Sequence, residues 1–556
     1  MADAQKRRVV VFNGEIYNFR ALRAELESLG HIFQSQSDTE VLLHGYERWG
    51  ESLFAKLRGM FAFALWEPAE RRLVFARDGL GKKPFFFSVQ GDLFVFGSEL
   101  CVFRDFPGLT RSICPESFRE YVEFGYVSSP RTIFREIRQL SPGCWGAWDE
   151  RGLTVQTFYT LPVTLPPTSS DLSEEDASTN LEKSLFRAVE SRLISDVPLG
   201  CFLSSGIDSS LIAALACQAS TGKLKTYTVG FTDSVETEAG AAADIARHLG
   251  TEHHEIAVSG SALLAEFPEI LARTAEPLGD DSFLPTYVIS RETKREVTVA
   301  LSGDGGDELF CGYDKYRQFA AARRLQARLP RTVRSKLQIL ARLPVGDRWK
   351  KSLEAASTES ALALARWLST LWKRSEIPRL LAAPAGEPDG ADPFAAAWAR
   401  RPDFSEVERF MLTDMETYLV GDILTKVDRA SMAVGLEVRS PFLDLDLFHE
   451  AFRFRARANP EGGGKSILRR ILARHLPEEL FERPKRGFGM PIEQWYRGPL
   501  RNLLVEYTSA ARVRNRGLLN NEALQSAVRD HLSGRRNFAR KLHAIVAFEI
   551  WADRHF

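Results

Sequence analysis

Cysteine is scarce in this 556-residue chain, and the placement of its six cysteines argues against several classes of protein. No two of them form a Cys-x-x-Cys pair, and no group of cysteines and histidines has the spacing of a zinc site. The six are Cys101, Cys114, Cys144, Cys201, Cys217 and Cys311. Their scattered positions indicate reduced thiols in a cytoplasmic protein rather than a disulfide framework.

Net charge and long apolar runs are also lacking. Lys+Arg and Asp+Glu both number 73, so nothing demands a nucleic acid or an anionic membrane as a partner. No stretch approaches the roughly 20 apolar residues of a membrane span. The N-terminus has basic residues but no apolar core of a signal peptide. We therefore expect a cytoplasmic protein that binds neither nucleic acid nor membrane.

What is present is an ordinary globular balance, with 44% hydrophobic and 26% charged residues, over a length that suggests two to four domains. The first ~160 residues are typical of a β-rich domain with two early helices. The predicted helices are Arg20–Leu29 and Thr39–Trp49, and the predicted strands are Val9–Phe12, Met60–Trp66, Arg72–Ala76, Pro84–Ser88 and Leu93–Gly97.

A Pro- and Ser-rich stretch, Leu161–Asp176, then predicts a linker. From there strands alternate with helices, which indicates a parallel sheet covered by helices, and beyond about residue 315 the chain is mainly helical. The predicted elements are strands at Leu199–Leu203, Thr226–Phe231 and Val297–Ser302 and helices at Ser209–Ala219 and Ala239–Leu249. The predicted domains are residues 1–160 and 177–556, with 161–176 as the linker.

A serine-rich loop joins the first of these strands to its helix. It contains Leu203, Ser204, Ser205, Gly206, Asp208 and Ser209. Small residues let the backbone approach a phosphate, and the following helix directs its free N–H groups and positive dipole end towards it. The loop lacks the lysine of the common nucleotide-binding loop, and its pattern is similar to that of enzymes that cleave ATP between the α and β phosphates. Asp208 repels a phosphate, so it is expected to hold Mg²⁺.

A second loop, SGDGGDE at residues 302–308, follows the apolar strand that ends near Ser302. Three glycines and three carboxylates in seven residues do not belong in a core. Loops that follow neighbouring parallel strands meet at the carboxyl edge of the sheet. Asp208 and Asp307 are therefore predicted to share one Mg²⁺, which would offset charge on a leaving pyrophosphate.

Several long motifs occur in one order: LSSGIDSS, TYTVGF, LSGDGGDELFCGY, KVDRASMAVGLEVRSPFLD and RPKRGFGMP. In these motifs the chain resembles the glutamine-hydrolysing asparagine synthetases. The resemblance implies an α/β fold throughout, with a truncated N-terminal nucleophile-type α/β sandwich followed by a doubly wound ATP-pyrophosphatase domain and a helical C-terminal portion. It also implies that aspartate reacts with ATP to form an acyl-adenylate, which ammonia converts to asparagine and AMP.

Carried over residue by residue, the resemblance assigns a role to each loop. Residues 204–209 would cradle the pyrophosphate, while Leu203, Val229, Ser302 and Gly303 would contact the nucleotide. Asp304 is linked with the adenylate step and with ammonia deprotonation. Lys485 would stabilise charge on the transferring phosphoryl group. Glu437–Arg439 is interpreted either as a structural ion pair in a helical bundle or as part of a tunnel or substrate site. His253 and His254 are expected to pack or cap a helix end rather than bind metal.

The first ~160 residues resemble the glutaminase half of the same family. Asn13 and Gly14 would form the oxyanion hole, Glu15 lies in the same loop, and Asp38 would bind the glutamine α-ammonium. The family's nucleophile is a cysteine that follows the initiator methionine. Position 2 here is Ala2, and none of the six cysteines is placed to substitute for the missing thiol.

The strands and the arginine that precede this loop in the family are missing as well. We expect either an upstream start codon, the favoured explanation, or a real short form. On this interpretation the chain as written uses free ammonia and hydrolyses no glutamine, and a homodimer is common among such proteins.

Two alternatives stay open at this stage. A related enzyme would couple another carboxylate and amine, as macrolactam and β-lactam synthetases do. A non-catalytic nucleotide-binding protein is disfavoured, because Asp208, Asp304, Asp307 and Lys485 are all retained.

Overall fold

A computed structural model describes most of the chain. The described residues are 1–3, 5–164, 173–231, 238–258, 260–330, 332–334, 337, 347–383, 392–454, 458–482 and 490–555. The strands are β1 Val9–Ile16, β2 Gly59–Glu67, β3 Arg72–Arg77, β4 Phe86–Gln90, β5 Leu93–Gly97, β6 Arg138–Gln139, β7 Cys144–Asp149, β8 Gly152–Thr157, β9 Leu199–Phe202, β10 Lys225–Phe231, β11 Glu252–Val258, β12 Val299–Leu301 and β13 Glu437–Arg439.

The helices of the first 330 residues include both long elements and single turns. They are α1 Phe19–Ser28, α2 Asp38–Trp49, α3 Leu53–Lys56, α4 Cys101–Arg104, α5 Pro115–Phe124, α6 Glu174–Arg192, α7 Ile207–Ala219, α8 Glu238–Leu249, α9 Gly260–Leu271, α10 Phe283–Thr293, α11 Gly306–Leu309 and α12 Asp314–Arg328. Short 3₁₀ turns occur at Gly50–Ser52, Pro441–Leu443 and Glu461–Gly463, and a π turn at Leu419–Leu424.

Beyond residue 330 the described part of the chain is helical apart from β13 and short bridges, as the sequence predicts. The helices are α13 Asp347–Ser357, α14 Ala361–Ser369, α15 Ile377–Leu380, α16 Pro393–Ala399, α17 Glu406–Glu416, α18 Thr425–Met432, α19 Leu445–Arg453, α20 Ser466–Leu472, α21 Glu478–Phe481, α22 Ile492–Arg497, α23 Arg501–Tyr507, α24 Ala510–Arg516, α25 Asn521–Leu532 and α26 Ala539–His555.

The N-terminal part is a four-layer sandwich. Two antiparallel sheets, in the orders β1-β2-β3-β7-β8 and β5-β4-β6, stack face to face. Because side chains alternate along a strand, β2 directs Phe61 and Phe63 towards α1 and α2 and directs Ala62 and Ala64 towards the second sheet. The outer face of the second sheet, including Phe86, packs against α5. The expected α/β sandwich is confirmed.

The second sheet system is parallel throughout, in the order β11-β10-β9-β12-β13. Helices cover both of its faces. Cys201 and Leu301 face a core with α7 and α8, whereas Tyr227, Ala300 and Val438 face Val427 of α18. This is the predicted doubly wound arrangement, and it places the ends of β9 and β12 side by side.

Three local predictions differ from the structure. Glu437–Arg439 forms the edge strand β13 rather than part of a helical bundle. His253 and His254 lie on strand β11, which the sequence did not indicate, and not in a turn after a helix. Helix α6 begins at Glu174, inside the segment predicted as a linker.

The two halves share one hydrophobic core and a buried ion pair. The Tyr121 hydroxyl of α5 donates to the Ala544 carbonyl of α26 over 2.7 Å. The Lys83 ammonium lies 3.1 Å from the Asp428 carboxylate, and these side chains are 2% and 6% exposed. Among the described residues no helix is both long and apolar enough to cross a membrane.

Candidate functional site

The serine-rich loop and the acidic loop meet at the carboxyl edge of the parallel sheet. They follow β9 and β12, which are neighbours. A Cβ atom added to Gly303 would lie 2.8 Å from the Asp208 Cβ, and one added to Gly306 would lie 2.7 Å from the Asp208 Cγ. Glycine is therefore required at both positions for the loops to touch, and Asp208 is held against the acidic loop.

The serine-rich loop is folded by its own hydroxyls. The Ser204 N–H donates to the Ser209 Oγ over 3.1 Å, and the two hydroxyl oxygens lie 2.8 Å apart. The Gly206 N–H donates to the Ser204 Oγ over 3.1 Å at the start of α7. Ser205 does not adopt a positive φ, so serine in place of a glycine causes no backbone strain there. The loop thus presents the N-terminal end of a 13-residue helix.

Leu203 and Val229 lie below this loop in the ends of the strands. Both side chains are buried, and the Leu203 N–H donates to the Tyr227 carbonyl over 2.8 Å. Leu203 packs in the core with α7 and α8 whereas Val229 packs in the other large core, and their predicted contact with the nucleotide stays a prediction.

Lys465 joins the two carboxylates that were predicted to share a metal. Its Nζ forms ion pairs with the Asp208 Oδ2 and, over 2.6 Å, with the Asp307 Oδ1. The lysine side chain is 8% exposed. Burial alone would lower the pKa of Lys465, but Asp208 and Asp307 outweigh burial and raise it. A permanent positive charge therefore lies at the end of α7, where a phosphate would bind.

The backbone around Lys465 is shaped to bring it there. Lys465 has a left-handed φ of 56° and precedes α20. A Cβ added to Gly464 would lie 2.1 Å from the Cys311 carbonyl oxygen, and one added to Gly312 would lie 2.0 Å from the Asp307 Oδ1. These glycines allow two chain segments and two charged side chains to pack at one point.

Asp304 is fixed by two hydroxyls. The Ser302 Oγ donates to the Asp304 Oδ2 over 2.7 Å, and the Ser440 Oγ lies 2.9 Å from the Ser302 Oγ. The Ser302 N–H donates to the Arg439 carbonyl over 2.9 Å, which ties the loop to β13. These contacts fix the orientation of the Asp304 carboxylate, and its predicted part in the adenylate step stays a prediction.

Buried charges surround the Asp304 side of the site. The Lys426 Nζ lies 2.8 Å from the Asp280 Oδ2 and 2.8 Å from the Ser282 Oγ. Lys82, from the N-terminal half, is 4% exposed, and its Nζ has no hydrogen-bond partner among the described residues. Burial lowers the pKa of Lys82, and Asp304 is the strongest charge that opposes this effect. An unpartnered buried cation of this kind is costly unless an anion binds it.

Glu308 is a further buried acid in the same loop. The Tyr313 hydroxyl donates to the Glu308 Oε1 over 2.8 Å. Burial and the neighbouring Asp307 raise the pKa of Glu308 to about 7. It can therefore exchange a proton near neutral pH.

The predicted glutamine-binding residues converge at β1 and the start of α2. The Asn13 Nδ2 donates to the Ser98 Oγ over 3.2 Å, and the Ile16 N–H donates to the Asp38 Oδ2 over 2.9 Å. Gly14 has a φ of 142°, and a Cβ there would lie 2.0 Å from the Met60 carbonyl oxygen. The structure thus brings the oxyanion loop and Asp38 together.

Glu15 points out of this group towards the other half of the molecule. The Arg439 Nη2 donates to the Glu15 Oε2 over 3.1 Å, and the Arg439 Nε donates to the Glu437 Oε1 over 2.7 Å. Burial raises the pKa of Glu15 to about 7. Its contact is an ion pair across the two halves.

The cysteine that follows Ser98 most closely in the sequence is not activated. Cys101 lies three residues after Ser98, and burial together with Glu99 raises the pKa of its thiol. Ala2 pairs with Val9 beside β1.

Sequence reasoning missed Lys465, Lys82, Lys426 and Glu308 as site residues. For Lys465 a signal exists, since three glycines followed by Lys-Ser precede a helical pattern at residues 462–466. Lys485 lies outside the described residues, so its predicted role stays a prediction.

Comparison with known proteins decides the family. The family model described as asparagine synthase matches residues 180–553, and the model described as a glutamine amidotransferase domain matches residues 1–159. The chain belongs to the asparagine synthase family. The resemblance inferred from the motifs is thereby confirmed, and the chain is a carbon–nitrogen ligase.

Several curated relatives cover nearly the whole chain. "Asparagine synthetase [glutamine-hydrolyzing] 1" of Bacillus subtilis (strain 168) is 32% identical, over 98% of this chain and 85% of its own length. "Putative asparagine synthetase [glutamine-hydrolyzing]" of Mycobacterium bovis is 33% identical, over 99% and 85%. "Amidase chry2" of Gibberella zeae is 25% identical, over 99% and 87%.

One solved structure found by comparison of folds is the glutamine phosphoribosylpyrophosphate amidotransferase from B. subtilis with ADP and GMP. It is 20% identical to this member of the asparagine synthase family, over 45% of each chain, with a TM-score of 0.21.

Proposed function

We propose that the chain forms asparagine from aspartate, ATP and ammonia, with AMP and pyrophosphate as the other products. The observation that carries the proposal is the meeting of the serine-rich loop with Asp208, Asp307 and Lys465 at the N-terminal end of α7. Such a site holds a pyrophosphate group while the α-phosphorus beside it is attacked.

The proposed reaction has two steps. A side-chain carboxylate oxygen of aspartate attacks the α-phosphorus, and the bond from that phosphorus to the bridging oxygen of pyrophosphate breaks. Ammonia nitrogen then attacks the carbonyl carbon of the β-aspartyl-adenylate, and the bond from carbon to the AMP oxygen breaks. The proton lost from nitrogen passes to Asp304, whose carboxylate Ser302 and Ser440 hold in place.

The N-terminal N–H groups of α7, the serine hydroxyls and Lys465 stabilise the charge on the leaving pyrophosphate. Asp208 and Asp307 would offer Mg²⁺ the carboxylate oxygens that this ion prefers, and in this structure the Lys465 ammonium is the positive charge that lies between them. When bound, the ion would offset further charge on the phosphates. Lys485 is proposed to assist at the transferring phosphoryl group.

An acidic amino acid as substrate is supported by the charges near Asp304. Lys82 lacks a partner among the described residues and suits a substrate carboxylate. Asp280, whose pKa burial would raise but the Lys426 ammonium lowers, stays ionised and suits a substrate ammonium. A zwitterion with a second carboxylate matches this pattern.

The proposed nitrogen source is ammonia, either free or released from glutamine. The glutamine-binding roles of Asn13, Gly14, Glu15 and Asp38 stay predictions, as does a homodimer.

Aspartate labelled with ¹⁸O in its side-chain carboxylate tests the adenylate directly. Attack on the α-phosphorus transfers one ¹⁸O atom into AMP, which mass spectrometry detects. Label in AMP with asparagine as co-product supports the proposal. Unlabelled AMP, or ADP in place of AMP, contradicts the adenylate step. If the label reached AMP from another carboxylate and not from aspartate, the chain would instead be a related synthetase that activates that other acid.

A further inference from the structure

A cluster of two histidines and a glutamate lies on α2 and on the loop before it. His44 and Glu47 stand one turn apart on α2, and His31 follows the end of α1. We call His31, His44 and Glu47 the two-histidine cluster. The proposed synthetase chemistry uses none of the three side chains.

The three potential ligand atoms have the separations of a metal site. The His31 and His44 Nδ1 atoms lie 3.3 Å apart, and the Glu47 Oε2 lies 3.8 Å from the first and 4.0 Å from the second. From these three distances, a point equidistant from the atoms lies about 2.2 Å from each, close to zinc–nitrogen and zinc–oxygen bond lengths. The side chains are 16%, 18% and 31% exposed, so one side is open to water ligands.

The orientation of His44 favours metal binding through Nδ1. Its Nε2 lies 3.5 Å from the Glu40 Oε1, one turn earlier on α2. Glu40 is itself held by the Gln34 and Ser35 N–H groups, each over 2.8 Å. A carboxylate there favours the tautomer with the proton on Nε2, which leaves the Nδ1 lone pair directed at the cluster.

Glu47 divides its two oxygens between different partners. The Oε1 accepts from the Arg7 guanidinium over 2.6 Å, and Arg8 lies 3.5 Å away from the same oxygen. The Oε2 is the atom that faces both histidines. The arginines therefore orient the carboxylate without occupying the oxygen that a metal would take.

A second group of one histidine and two glutamates differs from the two-histidine cluster in its neighbouring cations. Glu252, His254 and Glu296 also converge, but the Lys225 Nζ lies 3.5 Å and 2.8 Å from the two carboxylates. The lysine contacts both carboxylates of that group, whereas the arginines at the two-histidine cluster contact the Glu47 Oε1 and leave the Oε2 facing the histidines.

We propose that the two-histidine cluster binds one Zn²⁺ ion as a structural site that fixes the loop between α1 and α2. Imidazole and carboxylate ligands suit this borderline ion, and water would complete its coordination. The bound ion would join the end of α1 to α2, whose first residue is Asp38. The proposal does not depend on the proposed synthetase reaction.

The test uses the full chain with an affinity tag that contains no histidine. The protein is stripped with a chelator, loaded with ZnCl₂, desalted and analysed for bound metal by mass spectrometry. We expect one zinc per chain, and we expect His31→Gln and His44→Ala each to reduce zinc at least tenfold. His254→Ala serves as the matched control and should retain the full amount. Zinc should also raise the melting temperature of the wild type and leave that of His31→Gln unchanged.

Cobalt provides a second readout, since Co²⁺ in a site with few ligands absorbs in the visible range and Co²⁺ in water hardly does. Less than a tenth of an equivalent of zinc in the wild type would overturn the proposal. Unchanged zinc in both His31→Gln and His44→Ala would also overturn it and assign the metal to carboxylates elsewhere. The far-ultraviolet circular dichroism of each variant, compared with the wild type, shows whether the variant is folded, whatever its synthetase activity.

Discussion

Lys465 places a positive charge between two carboxylates at the point where the two loops meet. Replacing Lys465 with methionine should leave Asp208 and Asp307 to repel both each other and the phosphates. We expect pyrophosphate release to fall by about 10²–10³-fold, the usual cost of losing one group that stabilises a developing charge. Steady-state release of pyrophosphate at saturating ATP measures this.

The exposed Lys223 provides a matched control, because Lys223→Met removes a lysine from a surface turn. Near-normal turnover by Lys465→Met, with Lys223→Met unchanged, would mean that the pyrophosphate binds elsewhere.

Lys82 is a buried cation whose Nζ has no hydrogen-bond partner among the described residues. Its removal should therefore weaken substrate binding without lowering the stability of the fold. Lys82→Met removes a buried ammonium that has no hydrogen-bond partner among the described residues, and it should keep or raise the melting temperature. It should also raise the KM for aspartate by about 10–100-fold, the cost of one charge-assisted hydrogen bond, with little change in the KM for ATP. Equal changes in both constants, or a lower melting temperature, would assign Lys82 a structural role.

For single residues, the sequence shows which side chains belong to one loop, but it does not show which side chains from distant parts of the chain contact that loop. Ser204, Gly206 and Ser209 are contiguous, and their pattern alone predicts their neighbourhood. Lys465 is more than 250 positions from Asp208, and only the glycines at 312 and 464 allow it to approach. Asp208 and Asp307 do lie together in the structure, but the sequence did not indicate the lysine between them, and the metal that they were predicted to share stays a prediction.

Strand β13 connects the two halves through one side chain. Arg439 accepts from Ser302 through its carbonyl and donates to Glu15 through its guanidinium. The sequence left Glu437–Arg439 open between a structural and a substrate role, and it placed the segment among helices. A three-residue strand gives too short a pattern to distinguish from a helical turn, so only the parallel pairing with β12 identifies it.

Glu15 predicts a pH effect on stability with a definite sign. Its pKa in the folded chain is about 7 against 4.5 for the free side chain. Between these values the folded state binds more protons than the unfolded state, so the contribution of Glu15 to stability falls as pH rises from about 4.5 to 7.

Glu15→Gln cannot titrate and should therefore gain melting temperature relative to the wild type between pH 5 and 8. Thermal unfolding of both proteins across this range measures the difference. A difference that stays constant or reverses with pH would show that Arg439 controls the charge of Glu15.

The contact between Lys83 and Asp428 holds the whole molecule together across its two halves. Lys83→Met removes the ammonium that pairs with the buried Asp428 carboxylate, beside which Arg429 remains, and should cost about 3–5 kcal/mol of stability. Arg58→Ala breaks an exposed pair with Asp446 across the same boundary and should cost about 1 kcal/mol or less.

Calorimetry should show one unfolding transition for the wild type and for Arg58→Ala, and a broadened or split transition for Lys83→Met. Equal effects of the two variants would show that the shared hydrophobic core alone couples the halves.

At the scale of the molecule, the order of sheet and helix patterns was predictable from the sequence. Short runs rich in Phe and Val indicated the β-rich N-terminal sandwich, and the alternation of strands and helices indicated the parallel sheet. The structure confirms both. The merging of both halves into one core was not predictable, because it depends on contacts such as that between Tyr121 and Ala544.

The central claim is that this chain makes asparagine from aspartate with ammonia as the nitrogen source. The most direct measurement incubates purified protein with ATP, Mg²⁺ and aspartate, adds ammonium or glutamine in turn, and quantifies pyrophosphate and asparagine. The account predicts asparagine and pyrophosphate in equal amounts with ammonium. Absence of pyrophosphate with aspartate under either nitrogen source would contradict it.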